Sequence, residues 1–236
     1  MKILGMDSSG LVASVAVVEN DILVAEYTVN HKKTHSQTLL PMLDEIAKMT
    51  ELDLESIDAI AVAAGPGSFT GLRIGAATVK ALGLALEMPV VSVPTCHGLA
   101  YNLWGTNKLV CPIMDARRNQ VYTGVYQFID GNLEVVKDQD AMAIDELVEY
   151  LNQIGRQVIF VGDGIPVYSD FIKENISCGY EFAPAGFNRQ RASSIATYGL
   201  KLFLEGKWET ADDMKPIYLR KSQAEREREE QLKKEG

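Results

Sequence analysis

Cysteine is nearly missing from this chain: Cys96, Cys111 and Cys178 are the only three in 236 residues, and none share a Cys-x-x-Cys spacing. That scarcity excludes a disulfide framework and a zinc knuckle, fits a reducing compartment, and leaves the thiols as buried small hydrophobes. Long hydrophobic runs are missing too. No stretch approaches a membrane span, and Met1-Lys2-Ile3-Leu4-Gly5-Met6-Asp7 reaches an acid before a signal-peptide core forms. A cytoplasmic protein without membrane association is expected. Positive charge is scarce, with 23 Lys and Arg against 32 Asp and Glu and a net charge of −9. Such a surface repels a phosphate backbone, so nucleic acid is expected to be contacted only indirectly.

What is present is a plan that occurs twice. Strand-like segments at Lys2–Met6, Val12–Val18 and Ile22–Val29 are separated by turn residues and predict an antiparallel meander. Thr34-His35-Ser36-Gln37 has capping-box spacing and predicts a helix to about Met49, kinked by Pro41. Its apolar residues Leu39, Leu40, Met42, Leu43, Ile46 and Met49 cover more than one stripe, which suggests two packing partners. A β-α-β unit follows: a strand at Ile57–Ala64, the loop Gly65–Gly71, a helix to Glu87 and a strand at Val90–Val93. In the second half, Val110–Asp115 mirrors Ile3–Asp7, Val121–Tyr126 returns as its partner, and Asp130-Gly131-Asn132 makes a hairpin turn before Leu133–Val136. Val158–Gly164 then repeats the strand and Gly-x-Gly of Ala61–Gly67. A helix over about 194–205 and the run Pro216–Arg220 close the fold. The expected division is a first lobe over 1–104, a smaller second lobe over 105–221, and a charged tail over 222–236 that reads as a frayed helix or disorder.

This duplicated β-β-β-α-β-α plan, with an Asp ending the first strand of each half, resembles the two-lobed α/β fold of the actin, sugar-kinase and Hsp70 superfamily. There the paired turns grip nucleotide phosphates and metal across a cleft. Asp7 and Asp115 would face one magnesium water shell, Ser8 and Ser9 would let backbone N–H groups approach phosphate, and Arg117 would add charge. Capping of tight turns by either Asp alone is the equally weighted alternative. Gly65–Gly71 invites a phosphate-loop reading, but no Gly-Lys-Ser/Thr follows, and Ser68 does not sit in Gly-x-Ser-x-Gly. Gly71, Gly75, Ala76, Ala77 and Gly83 give the next helix a small surface, suited to close packing on the sheet, to a partner helix, or to both. His31 and His35 have metal-site spacing, but Lys32 stands where a metalloprotease needs Glu, so both read as surface loop residues. His97 reads as a capping or packed side chain.

Ile3–Ser9, His35–Pro41, Gly65–Gly75, Asp115-Ala116-Arg117 and Pro216–Arg220 together resemble the TsaB (YeaZ) family, over Met1 to about Lys221. The resemblance implies a non-catalytic scaffold that dimerises with the catalytic paralogue TsaD, acts with the ATPase TsaE, and supports threonylcarbamoyl transfer to the adenosine beside the anticodon of ANN-decoding tRNAs. TsaD-like chains carry a metal-binding His-x-x-x-His after the strand matching Pro89–Val93; here Thr95 and Leu99 fall at those places. The implied nucleotide cleft is vestigial or weak and uses Asp7, Ser8, Ser9, Asp115, Arg117, Gly162, Asp163 and Gly164. No cofactor is required, with ATP or ADP and magnesium as the candidates. The implied partner surface is Leu39, Met42, Leu43 and Ile46 on one helix with Gly71, Arg73, Gly75, Ala76 and Val79 on the next, and the same face would make a homodimer when the chain is alone. The rival reading is an independent ATPase or a glycoprotease-like metallopeptidase.

Overall fold

A computed structural model describes residues 1–31 and 34–220; the tail expected at 222–236 lies outside the described residues. Strands β1 (Lys2–Asp7), β2 (Ala13–Glu19) and β3 (Ile22–Val29) form the expected meander, followed by α1 (Leu39–Thr50), β4 (Ala59–Gly65), α2 (Phe69–Ala85), β5 (Val90–Pro94) and α3 (Thr95–Tyr101). The second half runs β6 (Leu109–Asp115), β7 (Gln120–Ile129), β8 (Asn132–Ala143), α4 (Ile144–Ile154), β9 (Val158–Val161), α5 (Ile165–Asn175), β10 (Tyr180–Phe182) and α6 (Ala192–Leu204). The sheets have orders β3-β2-β1-β4-β5 and β8-β7-β6-β9-β10, the same topology strand for strand. In each, β1 or β6 is central, antiparallel to the next strand and parallel to the fourth. These central strands are buried on both sides, which explains their unbroken apolar sequence.

Helices cover both faces of each sheet. Leu39, Met42, Leu43 and Ile46 of α1 and Ala76 and Val79 of α2 pack on the outer face of the first sheet. Leu147 and Leu151 of α4 and Tyr168 and Ile172 of α5 do the same on the second. The inner layer is exchanged between halves. Ile195, Ala196 and Leu202 of α6 pack on Ala59, Ala61, Val91 and Val93 of the first sheet, while Cys96, Leu99 and Ala100 of α3 pack on Val110, Met114 and Val161 of the second. The α6 helix, which follows residue 105 in the chain, thus covers the inner apolar face that the first sheet would otherwise leave in water.

The first helix also starts differently from its expectation. Residues His35–Gln37 form a separate 3-10 turn, and Thr34 makes no side-chain cap to the backbone. The α1 helix begins at Leu39, with Met42 N–H bonded to Thr38 O at 2.9 Å. Pro41 thus falls in the first turn, where its missing N–H has no intrahelical acceptor to serve, so it removes no helical hydrogen bond.

Candidate functional site

A cleft of about 580 Å³ opens between the lobes, a size suited to a small molecule. Its walls come from the β1–β2 turn, the N-terminus of α2, the β6–β7 turn and Asp163 after β9, with His35 and Arg220 completing them. The first two are bolted together. Ser68 N–H donates to Ser9 O at 2.7 Å, and Ser8 Oγ donates to Gly71 O at 2.9 Å. A Cβ on Gly71 would collide with Ser8 O, and one on Gly75 would crowd Ser8 Oγ. The small residues of α2 therefore seat the helix on the first turn.

Asp7 is 2% exposed, and its Oδ1 accepts from both Ser9 N–H at 2.8 Å and Ser9 Oγ at 2.7 Å. Burial pushes its carboxyl up to about 6, against the pull of the two bonds from Ser9. It is a buried turn cap outside the cleft lining, which corrects its expected place facing Asp115. The partner of Asp115 is instead Asp163, whose Oδ1 accepts Asp115 N–H at 3.3 Å. Burial raises the Asp163 carboxyl as well. Asp115 Oδ1 already accepts Arg117 N–H at 2.8 Å and Tyr168 OH at 3.1 Å. The expected Asp7 and Asp115 pair therefore does not fit a shared magnesium shell. Arg117, Arg220 and the positive end of α2 do fit phosphate.

Of the residues expected in the cleft, Ser9, Asp115, Arg117 and Asp163 line it. Ser8, Gly162 and Gly164 sit behind it: Gly162 and Gly164 pack on Ile113 O, with Gly164 N–H bonded to that oxygen at 2.9 Å. His35 was expected at the surface but is a half-buried cleft wall, its Nε2 2.9 Å from Gly10 O. His31 is exposed, as expected.

Pro216–Arg220 is more than a family motif that closes the fold. It is a strap across the mouth of the cleft. Ile217 N–H donates to Ala64 O at 2.7 Å in the first lobe, and Arg220 donates to Ala116 O at 2.7 Å in the second. Tyr218 stacks on Phe69 with centroids 4.2 Å apart. Gly65, at φ +127°, leaves room for the Ile217 carbonyl that a Cβ would strike. The Gly65 block and the strap are thus two halves of one contact.

Behind the cleft, Thr95 is fully buried and its Oγ1 accepts Gly65 N–H at 3.2 Å; Leu99 is in the core. His97 packs between Tyr126 and Tyr198, with centroids 4.9 and 5.6 Å away, and burial pulls its imidazole down to about 4. It is a packed side chain. Among the described residues, no three His, Cys, Asp or Glu side chains are grouped to hold a metal ion.

The expected partner surface needs the largest correction. Leu39, Met42, Leu43, Ile46, Gly71, Gly75, Ala76 and Val79 are all buried in the chain's own first lobe, and only Arg73 is exposed. The periodicity identified a packed face, and that face is filled by β-sheet. The outward stripes are Leu40, Pro41, Asp44 and Met49 on α1, and Thr70, Arg73, Ala77, Ala81 and Leu84 on α2.

Two sheets of identical order with exchanged inner helices, closing on a cleft between paired turns, define a protein of the actin-like fold. The inorganic polyphosphate/ATP-glucomannokinase of Arthrobacter sp. strain KM shares this fold, at a TM-score of 0.51 and 12% identity over 86% of this chain and 99% of that one. YeaZ from Pseudomonas aeruginosa is much nearer in shape, at a TM-score of 0.80 and 24% identity over 92% of this chain and 99% of that one. The family model for TsaD, tRNA N6-adenosine threonylcarbamoyltransferase, matches residues 23–228. The tRNA threonylcarbamoyladenosine biosynthesis protein TsaB of Bacillus subtilis (strain 168) is 36% identical over 95% of this chain and 96% of its own length. The chain belongs to the TsaB family, within the wider group of TsaD-related proteins.

Proposed function

We propose that this chain acts in tRNA threonylcarbamoyladenosine synthesis as the non-catalytic partner of a TsaD-like transferase, in the cytoplasm and together with a TsaE-like ATPase. The observation that carries the reading is the filling of the metal positions: Thr95 is spent on Gly65 N–H and Leu99 on the core. Without metal ligands there, a transferase of this fold loses the electrophilic stabilisation that a metal supplies. The docking face is the outward stripe of α1 and α2, where Leu40 is 51%, Met49 77% and Leu84 54% exposed beside the small residues Ala77 and Ala81. The same face supports a homodimer when the partner is absent. The role needs no cofactor in this chain; an ATP or ADP phosphate, if bound, fits beside Arg117 and Arg220. The decisive experiment is nucleoside mass spectrometry on tRNA from depleted cells, with expected loss of threonylcarbamoyladenosine. Undiminished modification sinks the assignment, and ATP or peptide turnover by the purified chain alone would favour the independent enzyme.

A further inference from the structure

The exchanged helices α3 and α6 meet on a polar cluster that lies outside the cleft lining. His97 of α3 stands between Tyr126 of β7 and Tyr198 of α6, and its Nδ1 is 3.3 Å from Tyr198 OH. Its other nitrogen, Nε2, is buried and has no hydrogen-bond partner among the described residues. Tyr126 is fully buried, and its OH likewise has no partner there. The two rings are in edge contact, with planes 72° apart. Burial raises the Tyr126 phenol and lowers the His97 imidazole, and the Asp138 carboxylate on β8 acts on both, so the two groups share one charged neighbour. Gly124 gives the tip of the Tyr126 ring its place, since a Cβ there would come within 2.3 Å of the OH. A buried polar atom without a partner loses its hydration and gains nothing, which is why such atoms are nearly always hydrogen-bonded, to water where no protein group reaches them.

We infer that one ordered water sits between Tyr126 OH and His97 Nε2 and is hydrogen-bonded to both. Water is the ligand that the chemistry of the site selects. A phenol donates and accepts, and a neutral imidazole nitrogen does one or the other according to its tautomer, so a water matches either tautomer. Burial holds the His97 imidazole down to about 4, so at neutral pH it carries no charge to attract an anion. The cluster is no metal site either, because among the described residues no three His, Cys, Asp or Glu side chains are grouped to hold an ion. The water joins β7 to α3 and, through the contact of His97 with Tyr198, reaches α6. It completes a polar link across the place where each lobe's inner cover meets the other's.

The sign of one substitution tests this, read by urea denaturation of the full chain. A Tyr126 OH buried without a partner would make Tyr126→Phe raise the folding equilibrium constant. With the water bound, Tyr126→Phe should lower it by about fivefold, the factor for one net hydrogen bond. His97→Phe keeps a ring but removes Nε2, so in that background the bridge is already broken and Tyr126→Phe should change the constant by less than about twofold. Residue 126 stays aromatic throughout, so its ring contact with residue 97 cancels from the comparison. A rise in the folding constant for Tyr126→Phe overturns the inference, and so does an equal fall in both backgrounds. A high-resolution crystal structure of the wild-type chain reads the site without any variant. A solvent peak within about 3.2 Å of both Tyr126 OH and His97 Nε2 is expected, and no peak between them sinks the proposal.

Discussion

The Glu26 carboxylate on β3 closes the N-terminus of α6: its Oε1 accepts Ser193 N–H at 3.0 Å and Ser193 Oγ at 2.7 Å. Its Oε2 accepts Arg191 Nε at 3.1 Å and pairs with the same guanidinium through NH2. Arg191, the residue at the helix cap, makes no side-chain cap of its own, so an acid from another strand supplies one.

Glu26→Gln should therefore destabilise the fold at neutral pH by about 2 kcal/mol, the usual worth of a hydrogen-bonded charge. Burial alone would raise the Glu26 carboxyl, but the bonds from Arg191 and Ser193 outweigh it and hold the group below its ordinary 4.5. A depressed folded pKa gives stability that is present above 4.5 and lost as pH falls through the folded value. Urea denaturation of wild type and variant across that range should show the gap between them closing on acidification. A gap independent of pH would mean that the carboxylate's charge contributes nothing.

Asp7 runs the opposite way. Its folded carboxyl is raised from 3.8 to about 6, so the folded state holds the proton more tightly than the unfolded chain. The resulting stability is present below 3.8 and lost as pH rises through about 6, amounting at neutral pH to a cost of up to ~3 kcal/mol. Asn keeps an Oδ1 for Ser9 without the buried charge. Asp7→Asn should thus match or exceed the wild type in melting temperature at pH 7, with the advantage vanishing at pH 4. A variant that is strongly destabilised at pH 7 would show that the ionised form is needed.

Inward and outward changes on the same helices should separate folding from docking. Leu43 is 4% exposed, and Leu43→Glu should cost about 4 kcal/mol through a buried, unpaired acid. Gly75→Leu should fail similarly, because a Cβ added there would collide with Ser8 Oγ. Ala77→Glu, on the exposed stripe, should melt within about 0.5 kcal/mol of wild type yet lose co-elution with a TsaD-like partner. Circular dichroism melts followed by size-exclusion chromatography decide the matter, and an Ala77→Glu variant that still co-elutes would move the docking face elsewhere.

Much of the architecture was legible because it is written locally. The paired Met-Asp strand ends, the turn residues and the Gly-x-Gly repeats gave both sheets and the loops that face each other. What was not legible depends on contacts far apart in the chain. Small residues on α2 are compatible with a partner helix or with a turn lying underneath, and only the seating of Ser8 on Gly71 distinguishes them. Asp7 has its Ser9 partners two residues away, yet its character comes from desolvation by the surrounding lobe. The Glu26 link to Arg191 spans 165 residues, and no periodicity signals it. The strap was visible as a motif but not as a strap, since its two anchors lie on different lobes.

The exchange of α3 and α6 has a mechanical consequence. Each half of the chain holds the inner cover of the other's sheet, so cutting between them would bare an apolar face on both pieces. The two repeats cannot drift apart like beads on a string. They meet where α3 and α6 touch, and heat should melt them in one step as a single folding unit.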